Sequence, residues 1–165
     1  YPYNGYYFLS DLYGALEGHP GIRTTTYRDY LTANPEAAEL PRLVAGSWVY
    51  GTFSTWIGSP DKNHAWDLLA AAKASYDLVM GSGRLSEEEK TAAEKQLAVC
   101  EGSDWFWWFG DYNPAHAVSS FDRLFRDNLA SLYRLLRLPA PGSLAEPISR
   151  GGGHPEAGGA MRRAS

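Results

Sequence analysis

The sequence predicts a mainly α fold: a helical bundle domain, with a short α/β piece ahead of it and a disordered tail behind. Three observations carry this prediction. Three segments between Pro60 and Leu138 repeat apolar residues at spacings of three and four, the period of a helix with one buried face. The breaks between them, such as Gly81-Ser82-Gly83 and Gly110-Asp111-Tyr112-Asn113-Pro114, are short and made of turn residues, which sets the helices side by side. A single run, Ile22-Arg23-Thr24-Thr25-Thr26-Tyr27, has the length and β-branched composition of a strand.

Taken in order, Leu9, Leu12, Tyr13 and Leu16 mark one face of a short helix that Gly18 and Pro20 close. Helix followed by strand is half of an α/β repeat. One strand cannot make a sheet, so residues 1–45 read as the closing end of a sheet supplied upstream. The opening Tyr1-Pro2-Tyr3-Asn4-Gly5 resembles neither a signal peptide nor a translation start, and the chain reads as an interior piece of a larger protein. Arg28 to Thr32 is a short helical turn, and Pro35 and Pro41 punctuate a loop.

Residues 46–138 form the second segment. It begins with Gly46-Ser47-Trp48-Val49-Tyr50-Gly51-Thr52-Phe53-Ser54-Thr55-Trp56-Ile57-Gly58, an aromatic loop. Loops held by a scaffold often carry binding groups, although these rings would serve equally to cap a core. Pro60 suits the first position of the next helix, where Trp66, Leu69, Ala72, Tyr76 and Val79 recur. Ser86 and Glu89 make a capping box for a helix that carries Ala93, Leu97 and Cys100 inward. The last helix has the clearest stripe, Phe121, Leu124, Phe125, Asn128, Leu132 and Leu135, widened by Leu129 and Leu136. Arg123, Arg126, Asp127 and Arg134 lie off it as a solvated face. From Pro139 on, prolines and Gly151-Gly152-Gly153 leave too little apolar surface to bury, and residues 139–165 read as a Pro/Gly-rich disordered tail.

Bulk composition excludes several functions. The chain has 165 residues, enough for one domain with a substantial core. A net charge of −4 with no basic stripe argues against nucleic acid as a partner. No apolar run approaches a membrane span. Cys100 is the sole cysteine, which rules out an intrachain disulfide and a Cys-based zinc site and accords with a cytoplasmic location. The histidines are scattered without metal-ligand spacing, and no glycine-rich phosphate loop follows a strand. His116, Ser119 and Asp122 crowd one helix start with no nucleophile elbow around them, so capping explains them better than a triad. Neither a metal nor a cofactor is expected.

The stretch Glu101-Gly102-Ser103-Asp104-Trp105-Phe106-Trp107-Trp108-Phe109-Gly110-Asp111 interleaves acids with large rings. A sugar-binding surface needs both, flat rings for the CH face of a pyranose and carboxylates for its hydroxyls. The alternative is a Trp-rich core helix whose acids point to solvent. Glu101 and Asp104 lie three residues apart, on one face if the helix is continuous. Glycoside hydrolysis needs two carboxyls flanking the bond, roughly 5 to 9.5 Å apart. Two acids on adjacent turns would approach from the same side, so they are not a complete catalytic pair.

These motifs, together with Lys62-Asn63-His64-Ala65-Trp66 and Phe121-Asp122-Arg123-Leu124-Phe125-Arg126, occur in an order that resembles glycoside hydrolase family 57 over residues 1–148. That family includes α-amylase, amylopullulanase-type and 4-α-glucanotransferase enzymes, and the resemblance is closest to the amylopullulanase-like members. It implies a catalytic (β/α)7 barrel, of which residues 1–45 would be the incomplete end, followed by a helical substrate-contacting domain. It implies retaining cleavage or transfer by a Glu nucleophile and an Asp acid on barrel strands upstream of Tyr1, with no catalytic residue in this chain. By the same resemblance Asp104 would bond sugar hydroxyls and Trp107 would be a stacking platform, with Trp48 as a second aromatic wall. Glu101, Trp105 and Trp56 would support them. The implied partners are an α-glucan or maltooligosaccharide and the upstream barrel. The rival expectations are a non-catalytic carbohydrate-binding module and a purely structural helical domain.

Overall fold

The computed structural model describes residues 2–36 and 38–153. The chain is mainly helical, and no strand occurs among the described residues. It divides into two compact units, 1–44 and 45–165.

In the first unit a 3-10 turn at Pro2–Gly5 leads into α1 (Tyr6–Gly18), and α2 spans Tyr27–Ala33. The strand expected at 22–27 is not formed. Residues 22–26 have no regular structure and pair with nothing in a ladder, and Thr26 instead caps α2, its hydroxyl accepting from Asp29 N at 3.2 Å. A β-branched run becomes a strand only when a partner offers a ladder, and this unit contains none among its described residues. None of its described residues is buried.

The second unit holds α3 (Pro60–Gly81), α4 (Glu87–Cys100), α5 (Asp104–Trp108) and α6 (Ala115–Leu135). Helices α3, α4 and α6 pack mutually as a three-helix core, with α5 laid on α6. The capping box forms as its residues require: Ser86 N donates to Glu89 Oε2 at 2.9 Å, and Glu89 N donates to Ser86 Oγ at 3.2 Å. The core takes Ala65, Leu69, Ala72 and Val79 from α3, and Ala93, Leu97 and Cys100 from α4. From α6 it takes Phe125, Leu129 and Leu132, each worth about 1.5–3 kcal/mol when fully buried. The buried face of α6 is rotated from the expected stripe. Leu124 is exposed, whereas Val118 and Asp122 are buried.

That rotation matters because Asp122 organises the chain beyond α6. Its Oδ2 meets Arg126 Nη2 at 2.8 Å, and its Oδ1 accepts from the backbone N–H groups of Ile148 and Ser149 at 2.7 and 3.2 Å. Arg126 Nη1 donates onward to the Leu144 carbonyl at 2.9 Å. Arg126 therefore belongs to a buried network, not to a solvated face. The tail boundary moves accordingly: a 3-10 turn at Gly142–Ala145 and residues up to 153 lie against the bundle, with Leu144, Ile148 and Ser149 buried. Residues 154–165 of the expected tail lie outside the described residues.

Candidate functional site

The aromatic stretch is not one helix. Helix α4 ends at Cys100 with Glu101 as its C-cap, Gly102 and Ser103 turn the chain, and Asp104 begins α5. Glu101 and Asp104 therefore occupy two elements and share no helix face. The five residues of α5 divide by direction. Phe106 is buried, stacked on Trp66 at 4.0 Å between ring centroids with planes 7° apart. Trp108 stacks on Phe121 at 4.8 Å. Trp105 sits against Phe121 and Phe125 of α6, and its indole N–H donates to the Val99 carbonyl at 3.0 Å. Trp105 thus ties α5 to the end of α4. Trp66, Trp105 and Trp108 are packing residues.

Trp107 turns the other way, towards the aromatic loop. It lies 6.0 Å from Trp48 with planes 10° apart, and 5.6 Å from Trp56 with planes 40° apart. Trp48 is 75% exposed, and Trp56 and Trp107 are half-buried. Trp48 does not face Trp107 across a gap. A sugar ring between two indoles needs two contacts of about 3.5–4.0 Å each, more than the 6.0 Å available, so any pyranose would use the rings' open faces. Beside this cluster lies a cleft of about 350 Å³ lined by Ser47, Trp48, Phe53, Trp56, Trp66, Glu101, Ser103 and Phe106. Asp104 is exposed at the start of α5 and does not line it.

Two anchors fix the cluster. Asn113 is buried, and its Nδ2 donates to the carbonyls of Trp107 and Trp108 at 3.1 and 2.9 Å. Its own carbonyl accepts from the N–H groups of Gly152 and Gly153, and Ser149 Oγ accepts from Gly110 N at 3.0 Å. The segment after α6 thereby clasps the end of α5. Close approach demands glycine here: at Gly110, with φ 121°, a Cβ would stand 2.6 Å from the Tyr112 ring, and at Gly151 it would meet Val118 at 2.7 Å.

The second anchor is Lys62. Its side chain is buried near the start of α3, and Nζ donates to the Thr55 carbonyl and to Tyr112 Oη, the latter at 2.6 Å. It joins the loop bearing Trp56 to the turn after α5. Burial pushes its pKa down to about 8, against a smaller opposing effect of Asp61. A neutral amine keeps two N–H bonds, enough for both acceptors. Nearby, Thr55 Oγ1 and Ser59 Oγ are buried without a hydrogen-bond partner among the described residues, so the loop is held at some cost. Sequence reasoning missed both anchors. Asn113 reads as a turn residue before Pro114, and Lys62 stands out only as the first residue of the Lys62–Trp66 motif.

His116, Ser119 and Asp122 form no relay: Ser119 Oγ donates to the His116 carbonyl at 3.1 Å, and Asp122 is committed to Arg126 and the backbone. No helix among the described residues is long and apolar enough to cross a membrane. No family model, curated protein or solved structure matches the chain.

Proposed function

We propose that residues 46–138 are the substrate-contacting helical part of a family 57-like, retaining α-glucan hydrolase or glucanotransferase. In this reading the Glu nucleophile and Asp acid are supplied by a barrel outside this chain, and the chain alone does not cleave. The single observation that carries it is the cluster of Trp48, Trp56 and Trp107, three indoles gathered from two segments with open faces beside an aromatic cleft. A structural core would have no use for an indole left 75% exposed and stacked on another. Trp107 is the platform for the CH face of a glucose unit, Trp48 extends the same aromatic surface, and Asp104 reaches hydroxyls from the exposed start of α5.

Intrinsic tryptophan fluorescence of the chain, titrated with maltotetraose, tests the reading. A saturable change that Trp107→Ala moves to about tenfold higher ligand or beyond is expected; no change up to millimolar ligand refutes it. A second reading, a carbohydrate-binding module with no catalytic partner, rests on the same cluster. It is favoured if binding is seen but joining the chain to a family 57 barrel gives no α-glucan hydrolysis sensitive to Asp104→Ala.

A further inference from the structure

Each helix end imposes an electrostatic preference on the residue that occupies it. The carbonyl end of a helix carries partial negative charge and disfavours a carboxylate, while the amide end favours one. Asp104, first residue of α5, and Glu87, Glu88 and Glu89, in the first turn of α4, obey this preference. Glu101 breaks it. It is the C-cap of α4, at the end of fourteen aligned peptide groups. Its carboxylate has no hydrogen bond or salt bridge among the described residues. Lys73 feels its charge, but the Lys73 ammonium is committed to both Asp77 oxygens at 2.7 and 2.6 Å. Glu101 is exposed at this helix end, and it lines the aromatic cleft together with Trp48 and Trp56.

The other polar groups there are likewise without protein partners, and Trp48 and Ser103 are exposed. The Ser103 hydroxyl and the indole N–H groups of Trp48 and Trp56 have no partner among the described residues, whereas the indoles of Trp66 and Trp105 both donate to carbonyls. The residues around the cleft therefore bring together apolar rings, one carboxylate acceptor, and hydroxyl and indole donors. This is the complement of a polyhydroxylated ring, which presents C–H faces, hydroxyl donors and hydroxyl acceptors together.

We infer that Glu101 directly contacts ligand, accepting hydrogen bonds from the hydroxyls of a sugar unit seated in the Trp48–Trp56 cleft, a subsite separate from Asp104. The inference rests on the α-glucan reading and adds to it the acid that reads the hydroxyls at this position. It carries an unusual signature. Removing the charge relieves α4 but weakens the ligand, because charge-assisted hydrogen bonds are roughly twice as strong as neutral ones.

The experiment compares wild type with Glu101→Gln by isothermal titration with maltotetraose and by thermal melting. Glu101→Gln is expected to weaken affinity about five- to tenfold while the melting temperature rises by about 1–4 °C. Unchanged affinity overturns the inference, whatever the melting temperature does. Weaker affinity with a lowered melting temperature also overturns it, since Glu101 would then be a structural residue. Absence of maltotetraose binding by wild type overturns the α-glucan reading itself and the inference with it; binding by wild type that Glu101→Gln leaves intact overturns the inference alone.

Discussion

Trp48 and Trp107 lie 59 positions apart in the sequence, yet their rings are parallel within 10° at 6.0 Å between centroids. Trp48 comes from a loop without regular structure and Trp107 from a helix of five residues. Neither element could fix this relationship alone; Lys62 holds the first and Asn113 the second. Trp107→Ala should weaken maltotetraose binding about tenfold or more, roughly 1.4 kcal/mol, and Trp48→Ala should cost less. Equal affinities by titration calorimetry for wild type and both variants would remove the platform role.

The clasp behind α5 should be separable from the platform. Asn113→Ala strips the donor from the carbonyls of Trp107 and Trp108, groups that each cost about 1–3 kcal/mol if left unsatisfied. The expected outcome is a lower urea midpoint together with a loss of near-ultraviolet circular dichroism from the Trp48–Trp107 pair. An unaltered near-ultraviolet spectrum would show that Asn113 does not position Trp107.

Asp122 should be among the most sensitive positions in the second unit. Asp122→Ala leaves Arg126 without its counter-ion in a mostly buried setting and orphans two backbone N–H groups. Breaking a buried pair from one side costs about 3–5 kcal/mol. Urea unfolding would read this directly, and a loss below about 1 kcal/mol would mean that Asp122 does not hold residues 142–149 on the bundle.

Alkaline stability offers a test of Lys62. Its folded pKa of about 8 lies below the ordinary lysine value of 10.5, so between those values the unfolded chain holds a proton that the folded chain has shed. Stability contributed through Lys62 therefore rises with pH across that window. Cys100 works against it: burial raises its pKa from 9.0 to about 11, the folded thiol keeps a proton that the unfolded thiol loses, and stability falls over that range. The stability difference between wild type and Lys62→Met isolates the lysine. It should grow in favour of wild type from pH 8 to about 10.5, and a difference that stays flat with pH would contradict the burial-driven shift.

The parts of the fold legible in the sequence are those fixed by near neighbours. Pro60 and Ser86 start α3 and α4 through bonds and dihedrals within one turn, and Gly81 closes α3 just as locally. The features that composition misstates are all long-range. Ile22 to Thr26 has strand composition, but composition cannot supply a ladder partner. Pro139 to Gly153 has linker composition, yet Leu144 and Ile148 find places in the bundle, and Asp122 accepts from a backbone N–H 26 residues away. At the site, the rings of Trp48 and Trp107 stand out from the residues around them. Their stacking, the separation of Glu101 from Asp104 and the burial of Lys62 depend on how the helices meet, which no local spacing encodes.

The absence of buried residues in α1 has a consequence for how the chain melts. A 13-residue helix with no buried residue sits near the margin of stability in water, since nucleation is unfavourable and only tertiary contacts compensate. Its amides should exchange with deuterium quickly, while those of Phe125 to Leu132 wait for global unfolding. One polypeptide would then show two exchange regimes, and a brief digestion by protease should trim roughly the first forty residues while sparing the bundle.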